Sequence, residues 1–596
     1  MSYNVVCDFI SVHGFFRNLR NLKRADSIIL YRRDKSLHDK VWVAVFKYMN
    51  RIFLRKKYKV KILRHFMFCK INYKVVKSIE ENSDKINKSL LLNLKHILKA
   101  SDKDALKYIK HNLVFEIQKK LYINEEIKAD LLNNDYLIIT DRNHFDIYKG
   151  AEEVYEDDVA IRNVFLLYTG IFVLMTYILL KIKHQFRFCL KRKNIFYSDL
   201  IVQVTNFFNE NNNEFNEFLT EDFVFDKKKV SLLITSLWRP SITDLNIFKI
   251  QLERKGIRYI DARELVITTY EFILIIKFLI SKTIFSRIKY NSFIDAYTYM
   301  LCLYQYCLES LNLSNYNCKA ILCFDDYLAL HITRTLLYRQ RGIKTFGIQH
   351  SLGTGVTDSP LRIYICFDKY LVWGTFYVKL FKPYWGDLSL VKYSYNRIDK
   401  LLKKRQIVEQ PKNLRGRCLA NNGKKNIIFT SPPSCDFFDD VIENIQGYFD
   451  FLKSIDKDIA NNANIYLRPK NLKGIDRLLK YIDTKNVIFL SDNSYTTAEL
   501  ISQSDLVIAE AGSGILCECS LLKVKVVCYD VLGLLKDDWI RYGKDLYIDN
   551  AKDLHRIIKR FINDKPLDVD WDLLWSDLVF PNSGNTNEVI KKLLTC

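Results

Sequence analysis

Short apolar runs alternate with helical stretches along the chain from Val230 onward. The first series of candidate strands comprises VSLLITS from Val230, IRYID from Ile257, AILCFDD from Ala320, KTFGIQ from Lys344 and KYLVWG from Lys369. Residues 385–424 are polar, and a second series follows them: NIIFTS from Asn426, ANIYLRP from Ala463, NVIFL from Asn486, SDLVIAEAG from Ser504 and VKVVCYD from Val524. Strands that alternate with helices are typical of parallel sheets. The pattern predicts the α/β class, with one Rossmann-like lobe over residues 226–385, a second over 425–596 and a cleft between them.

The first 225 residues have a different pattern, in which short apolar runs are mixed with dense Lys and Arg. This favours a basic, mostly helical N-terminal region, with a strand at Tyr136 to Thr140. The first lobe can also include strands from residues 1–150. At the other end, a helix over Asn587 to Leu594 is expected to pack back across the lobes.

The most apolar segment, Val164 to Leu180, carries no charge and is followed at once by basic residues, so 164–193 is predicted to associate with a membrane. It is slightly shorter than a bilayer span, and crossing would leave a basic N-terminal region outside. An interfacial helix, a single span over 164–183 and a buried core helix all stay open. A second apolar run, Leu265 to Ile284, contains Glu271, Lys277 and Lys282, which indicates an in-plane or docking helix.

Composition limits the class of protein. The chain has 596 residues, 49% of them hydrophobic, with only 9 Pro and 19 Gly, so most of it should be folded in two or three domains. The formal net charge of +23 indicates an anionic partner. The 14 cysteines are scattered, and the close pair Cys517 and Cys519 lacks the second pair of a zinc site, which favours reduced thiols. Without a signal-peptide pattern at Met1 to Arg17, we expect the cytoplasmic face of the inner membrane.

Polar residues that directly follow strands are the candidates for chemistry, because ligands of open parallel sheets bind beyond the carboxyl ends of strands. His350 is placed to act as a general base, and Asp325 and Asp326 could orient it, take the proton themselves or cap a helix. A structural histidine is the competing interpretation.

The second series of strands contains a candidate phosphate-binding pattern. Gly512 and Gly514 would let backbone N–H groups approach a phosphate at the start of a helix, and Arg468 and Lys470 would stabilise a departing phosphate. An ordinary tight turn at Ser513 and solvated surface charges are the alternatives. The candidates for nucleotide binding are Gln349, Ser431, Arg468, Lys470, Glu510, Gly512, Ser513, Gly514 and Glu518.

The order of these motifs resembles that of GT-B enzymes of capsule, lipopolysaccharide and teichoic-acid synthesis. The matching pieces are Gln349-His350-Ser351, Val372-Trp373-Gly374, Arg468-Pro469-Lys470-Asn471 and Glu510-Ala511-Gly512-Ser513-Gly514 with Glu518, within residues 230–550. The resemblance implies that His350 is the catalytic base and that 468–470 and 512–514 contact the nucleotide. Ser351 replaces the usual Gly, and Lys470 replaces the His of similar glycerophosphate and Kdo or sialic acid transferases, which leaves the donor open.

The sequence therefore predicts a glycosyltransferase that uses a nucleotide-sugar donor as substrate, with no further cofactor and no metal. Its expected partners are that donor, a glycan or lipid-linked acceptor and an anionic membrane surface, with no nucleic acid, since no nucleic-acid-binding motif is recognisable. A CDP-polyol phosphotransferase of the teichoic-acid type and a UDP-sugar epimerase-like enzyme are the alternatives within this layout. A non-catalytic membrane scaffold or nucleic-acid binder is the alternative from another class.

Overall fold

The computed structural model describes residues 4–7, 27–33, 50–54, 58–63, 72–130, 136–140, 153–156, 187–189, 195–204, 230–234, 242–254, 256–284, 293–324, 328–349, 360–393, 422–430, 455–468, 486–490, 497–510, 513–530 and 536–580. It also describes shorter pieces at 22, 25, 43, 46–48, 419–420, 451–452 and 589.

A parallel sheet of five described strands comes first in the chain. Its strands are β1 (Asn4–Cys7), β2 (Ser27–Arg33), β3 (Tyr58–Leu63), β4 (Tyr136–Thr140) and β5 (Glu153–Glu156). They lie in the order β3-β2-β1-β4-β5. Three helices connect β3 to β4: α1 (Asn72–Glu81), α2 (Lys88–Leu98) and α3 (Asp102–Asp130). The expected helices are described over residues 72–130, but the region also forms a parallel sheet with the strand order of a doubly wound unit, and of its described strands the sequence pattern indicated only Tyr136–Thr140. The strands from residues 1–150 belong to this separate sheet and not to the sheet of the first lobe.

The next part of the chain forms the first lobe. Its elements are β6 (Arg187–Cys189), β7 (Phe196–Val204), β8 (Val230–Ile234), α4 (Ile242–Arg254), β9 (Arg258–Asp261), β10 (Val266–Thr268), α5 (Thr269–Ile284), α6 (Phe293–Asn315), β11 (Tyr316–Cys323), α7 (Ala329–Arg339), β12 (Lys344–Ile348), β13 (Lys369–Val372), α8 (Thr375–Trp385) and β14 (Leu390–Lys392). Seven of the described strands make one parallel sheet in the order β14-β13-β12-β11-β7-β8-β9, while β6 and β10 pair separately. The sheet therefore begins before residue 226, since β7 is one of its interior strands, between β11 and β8.

The remaining residues form the second lobe. Its elements are β15 (Lys425–Thr430), α9 (Lys457–Asn462), β16 (Ala463–Arg468), β17 (Ile488–Phe489), α10 (Thr497–Ser502), β18 (Leu506–Ala509), α11 (Ile515–Leu522), β19 (Lys525–Tyr529), α12 (Lys536–Trp539), β20 (Tyr547–Ile548), α13 (Ala551–Ile562) and α14 (Trp571–Leu578). The sheet order is β17-β16-β15-β18-β19-β20, and all the pairs are parallel.

Both lobes have the strand order of a Rossmann-like sheet, in which the first strand of the unit lies beside the fourth. Each strand run predicted from Val230 onward overlaps a strand of one of these sheets. The prediction of two Rossmann-like lobes is thus confirmed. Successive strands are added first toward one edge of each sheet and then toward the other. We name the place where this change occurs the reversal point: it lies between β7 and β11 in the first lobe, and between β15 and β18 in the second.

Apolar side chains cover both faces of the seven-stranded sheet of the first lobe, which we call the first sheet; the six-stranded sheet of the second lobe is the second sheet. On one face, Ile201 and Ile321 belong to a core shared with α1, α2, α3, α6 and α7. On the other face, Val202 and Leu322 belong to a core that also contains Leu516 and other residues of the second lobe. The two lobes therefore share part of their hydrophobic core.

The C-terminal helix α14 bridges the lobes, since it contacts α8 of the first lobe and α11 of the second. Asp570 caps it by accepting a hydrogen bond from the backbone N–H of Leu573. The helix expected at 587–594 lies outside the described residues except for Val589, which is buried in the core that the lobes share.

Candidate active site

The carboxyl edge of the first sheet holds the first group of candidate residues. Phe324 directly follows β11, the strand at the reversal point, and Asp325 and Asp326 come next in the chain. Ligands of doubly wound sheets bind at this place. Both aspartates lie outside the described residues, so their roles stay predictions.

Gln349 joins the ends of two neighbouring strands. Its backbone N–H donates to the carbonyl of Leu371 at 3.0 Å, and its side-chain Oε1 accepts from the backbone N–H of Trp373 at 2.9 Å. The side chain is fully buried. Gln349 thereby fixes the end of β12 against the end of β13, immediately before His350 in the chain. Whether it also contacts a nucleotide stays a prediction.

A buried polar cluster lies beneath the reversal point of the first sheet, and the sequence analysis did not identify it. Arg334 of α7 donates to Gln203 Oε1 of β7 at 3.2 Å and forms an ion pair with Glu309 of α6 at 3.2 Å. It also contacts the sulfur of Cys323 at the end of β11. Tyr338 donates to the other carboxylate oxygen of Glu309 at 3.0 Å. These bonds tie the ends of β7 and β11 to the helices behind them.

The carboxyl edge of the second sheet brings together candidates from three adjacent strands. Arg468 ends β16 and lies opposite Thr430, which ends β15, and Glu510 directly follows β18. Thr430 Oγ1 donates to the carbonyl of Ile508 at 3.1 Å, which ties β15 to β18. Arg468 and Glu510 therefore lie on either side of the reversal point, and their roles in nucleotide binding stay predictions.

Helix α11 begins at this same edge. The backbone N–H of Ser513 donates to the Glu510 carbonyl at 3.1 Å, and the N–H of Ile515 donates to Ser513 Oγ at 3.4 Å. Gly514 is the N-cap residue and has no side chain that could occupy the helix end. The positive end of the helix dipole thus lies at the carboxyl edge, where an anion is favoured.

Glu518 differs from the other candidates in its burial, since its residue is only 3% exposed. Burial, and after it the charge of Glu518, raises the pKa of Cys517 and of Cys519 above the usual range of a thiol. The cysteines whose side chains the structure describes are buried, and none of them is in a disulfide with another described cysteine. Glu518 therefore faces the protein interior around α11.

The end of α14 connects the edges of the two sheets. A Cβ atom on Gly374, at the start of α8, would lie 2.3 Å from the carbonyl oxygen of Leu578. The same carbonyl lies 4.0 Å from the sulfur of Cys517, in the first turn of α11. Leu578 thus contacts the helix that begins after β13 and the helix that begins after β18. This close approach explains the glycine in the Trp373-Gly374 motif.

Asp577, the residue before Leu578, is the polar centre of this junction. Its carboxylate accepts hydrogen bonds from Thr375 at 2.5 Å and Lys379 at 2.7 Å, both of α8, and from Tyr542 of the second lobe at 3.1 Å. Burial alone would raise the pKa of Asp577, but the hydrogen bonds from Lys379, Thr375 and Tyr542 outweigh it and lower the pKa. The junction is therefore stabilised above the pKa of an unfolded aspartate and weakens as the pH falls through the lowered pKa.

Helix α12 contributes a second contact between the lobes. Trp539 stacks on Phe376 of α8, with ring centroids 4.8 Å apart. Next to it, burial raises the pKa of Asp538 to about 6, although the charge of Arg541 opposes the shift. Asp538 is a titratable group that the sequence analysis missed, because no strand directly precedes it.

Several predicted features lie outside the described residues. The candidate site residues among them are Asp325, Asp326, His350, Ser431, Lys470 and Gly512. The apolar stretch 164–180 is also among them. Of the helices that are described, none has the length and apolar character needed to cross a bilayer. In the described part of the chain, no group of three or more His, Cys, Asp or Glu side chains could hold a metal ion.

No protein-family model matches the chain, and a comparison with curated proteins found no match either. Several solved structures are similar to it. A UDP-GlcNAc 2-epimerase from Neisseria meningitidis, bound to UDP-GlcNAc, is 13% identical with a TM-score of 0.41, and the match covers 67% of this chain and 100% of that one. The wall teichoic acid polymerase TagF is 11% identical with a TM-score of 0.37, and the match covers 72% of this chain and 97% of that one. MurG from Acinetobacter baumannii is 13% identical with a TM-score of 0.36, and the match covers 67% of this chain and 99% of that one. The assignment of two Rossmann-like lobes rests on the strand orders described above.

Proposed function

We propose that this protein is a GT-B glycosyltransferase that transfers a sugar from a nucleotide-activated donor to a glycan or lipid-linked acceptor. The contact of Leu578 with both Gly374 and Cys517 carries the proposal. It holds the carboxyl edge of one Rossmann-like sheet close to that of the other, and the carboxyl edge is where such sheets bind ligands. A donor bound to one lobe and an acceptor bound to the other would then meet between them.

The second lobe is proposed to hold the nucleotide. The positive end of α11 lies at the carboxyl edge, with the backbone N–H of Gly514 at the helix start, and Arg468 supplies a fixed cation at the same edge. Lys470, two residues further on, is proposed as the second cation. These charges favour a phosphate and stabilise it further when it carries the charge of a leaving group.

The first lobe is proposed to supply the base. His350 accepts the proton of the acceptor hydroxyl, and the resulting oxygen nucleophile attacks the anomeric carbon of the donor. The bond from that carbon to the phosphate oxygen breaks, and the nucleotide leaves with the electron pair. Gln349 positions this segment through its hydrogen bond to Trp373. Asp325 and Asp326 are proposed to orient the base or to replace it.

A donor screen tests this proposal. The purified protein is titrated calorimetrically with UDP-, GDP-, CMP- and CDP-linked sugars, and transfer of labelled sugar to membrane extracts is followed. We expect saturable binding of one donor class and transfer of its label. Binding of no donor would contradict the proposal, and so would turnover of a UDP-sugar without any acceptor, which would favour the epimerase.

The same screen separates glycosyl transfer from transfer of a polyol phosphate. Both reactions would use His350 and the phosphate-binding edge, but a polyol phosphotransferase moves the phosphate with the polyol. Donors labelled at phosphorus and at the sugar or polyol carbon therefore give different labelled products. Transfer of the phosphorus label from CDP-glycerol would establish the alternative.

A further inference from the structure

Helix α5 exposes an apolar face that no described element covers. Tyr270 is 70% exposed, Ile273 and Leu274 are each 44% exposed, and Ile280 is 37% exposed. Together with the exposed Lys277, they lie at helical spacing on one side of the helix, which we name the α5 face. The opposite side is anchored in the protein core. Contiguous exposed apolar residues of this kind mark interaction surfaces.

The α5 face carries one basic residue. Lys277 lies in its middle, between the exposed Leu274 and Ile280. Lys282 lies on the side of α5 that faces α2, where its Nζ is 3.4 Å from Nδ1 of His96. The cation of the α5 face is therefore Lys277.

The pairing of two short strands links residues 187–189 to the start of α5. Strand β6 (Arg187–Cys189) lies near the end of the stretch 164–193 and pairs with β10 (Val266–Thr268). Strand β10 leads directly into α5 at Thr269. The described end of the segment predicted to associate with a membrane is thus attached at the start of α5.

From these observations, we propose that the α5 face is the surface through which the protein docks on an anionic lipid bilayer. Its apolar side chains would enter the boundary between headgroups and acyl chains, and Lys277 would contact the lipid phosphates. A second copy of the chain fits less well, because a symmetric dimer would bring Lys277 near its own copy in a protein of net charge +23. The inference concerns lipid binding and does not depend on the transferase reaction proposed above.

The experiment measures co-sedimentation of the full-length protein with vesicles, in the absence of any sugar donor. Vesicles that contain phosphatidylglycerol are compared with vesicles of phosphatidylcholine alone. We expect the unmodified protein to bind the former at low salt. The double variant Ile273→Asp with Leu274→Asp should lower the partition coefficient at least about tenfold, because charged side chains replace the inserted ones. Lys277→Gln should lower it about fivefold, the effect of roughly 1 kcal/mol per basic residue near an anionic surface.

Ile250→Asp is the matched control. Ile250 is a 47% exposed isoleucine on α4, a helix that packs on the opposite face of the same sheet. This variant should bind vesicles as the unmodified protein does. Circular dichroism checks that each variant folds, and if the double variant fails to fold, Lys277→Gln decides the test.

Three results would overturn the proposal. The first is no binding to phosphatidylglycerol vesicles, or equal binding to both lipid compositions. The second is full binding by the α5 variants, above all if Leu174→Asp with Ile178→Asp alone abolishes binding, since that would assign docking to the segment 164–193. The third is self-association of the unmodified protein that the double variant lacks, without vesicle binding by either protein. That result would make the face an interface between copies.

Discussion

Replacing Gly374 by alanine tests the junction at the end of α14. The backbone of Gly374 is extended, with φ of −156°, so alanine itself is not strained there. The new Cβ atom would lie 2.3 Å from the Leu578 carbonyl oxygen and 2.4 Å from that of Asp577, whereas ordinary contact begins at 3.4 Å. The helix end must therefore move by about 1 Å, the difference between 3.4 and 2.3 Å. This movement would stretch the hydrogen bond of 2.7 Å from the Phe580 N–H to the Trp373 carbonyl.

Overpacking of this kind costs about 1–3 kcal/mol, and each weakened hydrogen bond adds about 1 kcal/mol. We expect Gly374→Ala to destabilise the protein by about 2–4 kcal/mol in urea-induced unfolding followed by circular dichroism. The control is Gly256→Ala, at a glycine with φ of +65° and open space around it, where only the backbone conformation is affected. That variant should cost about 1 kcal/mol. A Gly374→Ala protein as stable as the unmodified one would refute the close approach of α14.

Three further predictions concern the site and its support. Ser513→Ala should weaken binding of the nucleotide donor in calorimetric titrations, while Ser504→Ala, at the other end of β18, should leave it unchanged; equal affinities would argue against the site. Asp538→Asn should stabilise the protein above about pH 6 and have no effect below about pH 4 in urea unfolding, because burial raises the pKa of Asp538 to about 6 and the charged form is disfavoured in the folded state. Arg334→Met should destabilise by about 3–5 kcal/mol because it leaves the Glu309 carboxylate buried without its ion-pair partner, and Glu309→Leu added to it should recover part of the loss; no recovery would show that the pair is not coupled.

The sequence predicts the strands of both lobes well because buried parallel strands are continuous apolar runs. Strand β18 (LVIA) is buried at every position, and so is β8 (VSLLI). Strand β7 was missed although it lies inside the sheet, between β11 and β8, since its first half carries Ser198 and Asp199. Strand β3 (YKVKIL) was hidden by its lysines in the same way. A local sequence pattern indicates only which residues are buried. Strands β7 and β3 contain polar residues, so they are recognisable only from their pairing with other strands of the sheet.

The candidate site likewise contains residues that the local pattern predicts and contacts that it does not predict. Arg468 and Glu510 could be predicted because each follows a strand of one sheet, and topology alone brings such positions together. The contacts around Gly374 and Asp577 could not, since the two residues are separated by almost the whole second lobe. The burial of Glu518 was likewise not apparent, because its helix is apolar on nearly all sides and a single carboxylate does not reveal its direction.

The most direct test of the proposed transferase is the variant His350→Ala, assayed with the donor that the screen identifies. Label transfer to the acceptor gives the turnover, and calorimetry gives the affinity for the donor. If His350 is the base and the phosphate is held on the second lobe, turnover should fall by about 10² to 10⁴ while the donor affinity stays nearly unchanged. Full turnover in the variant would contradict the account and make Asp325 or Asp326 the better candidate for the base.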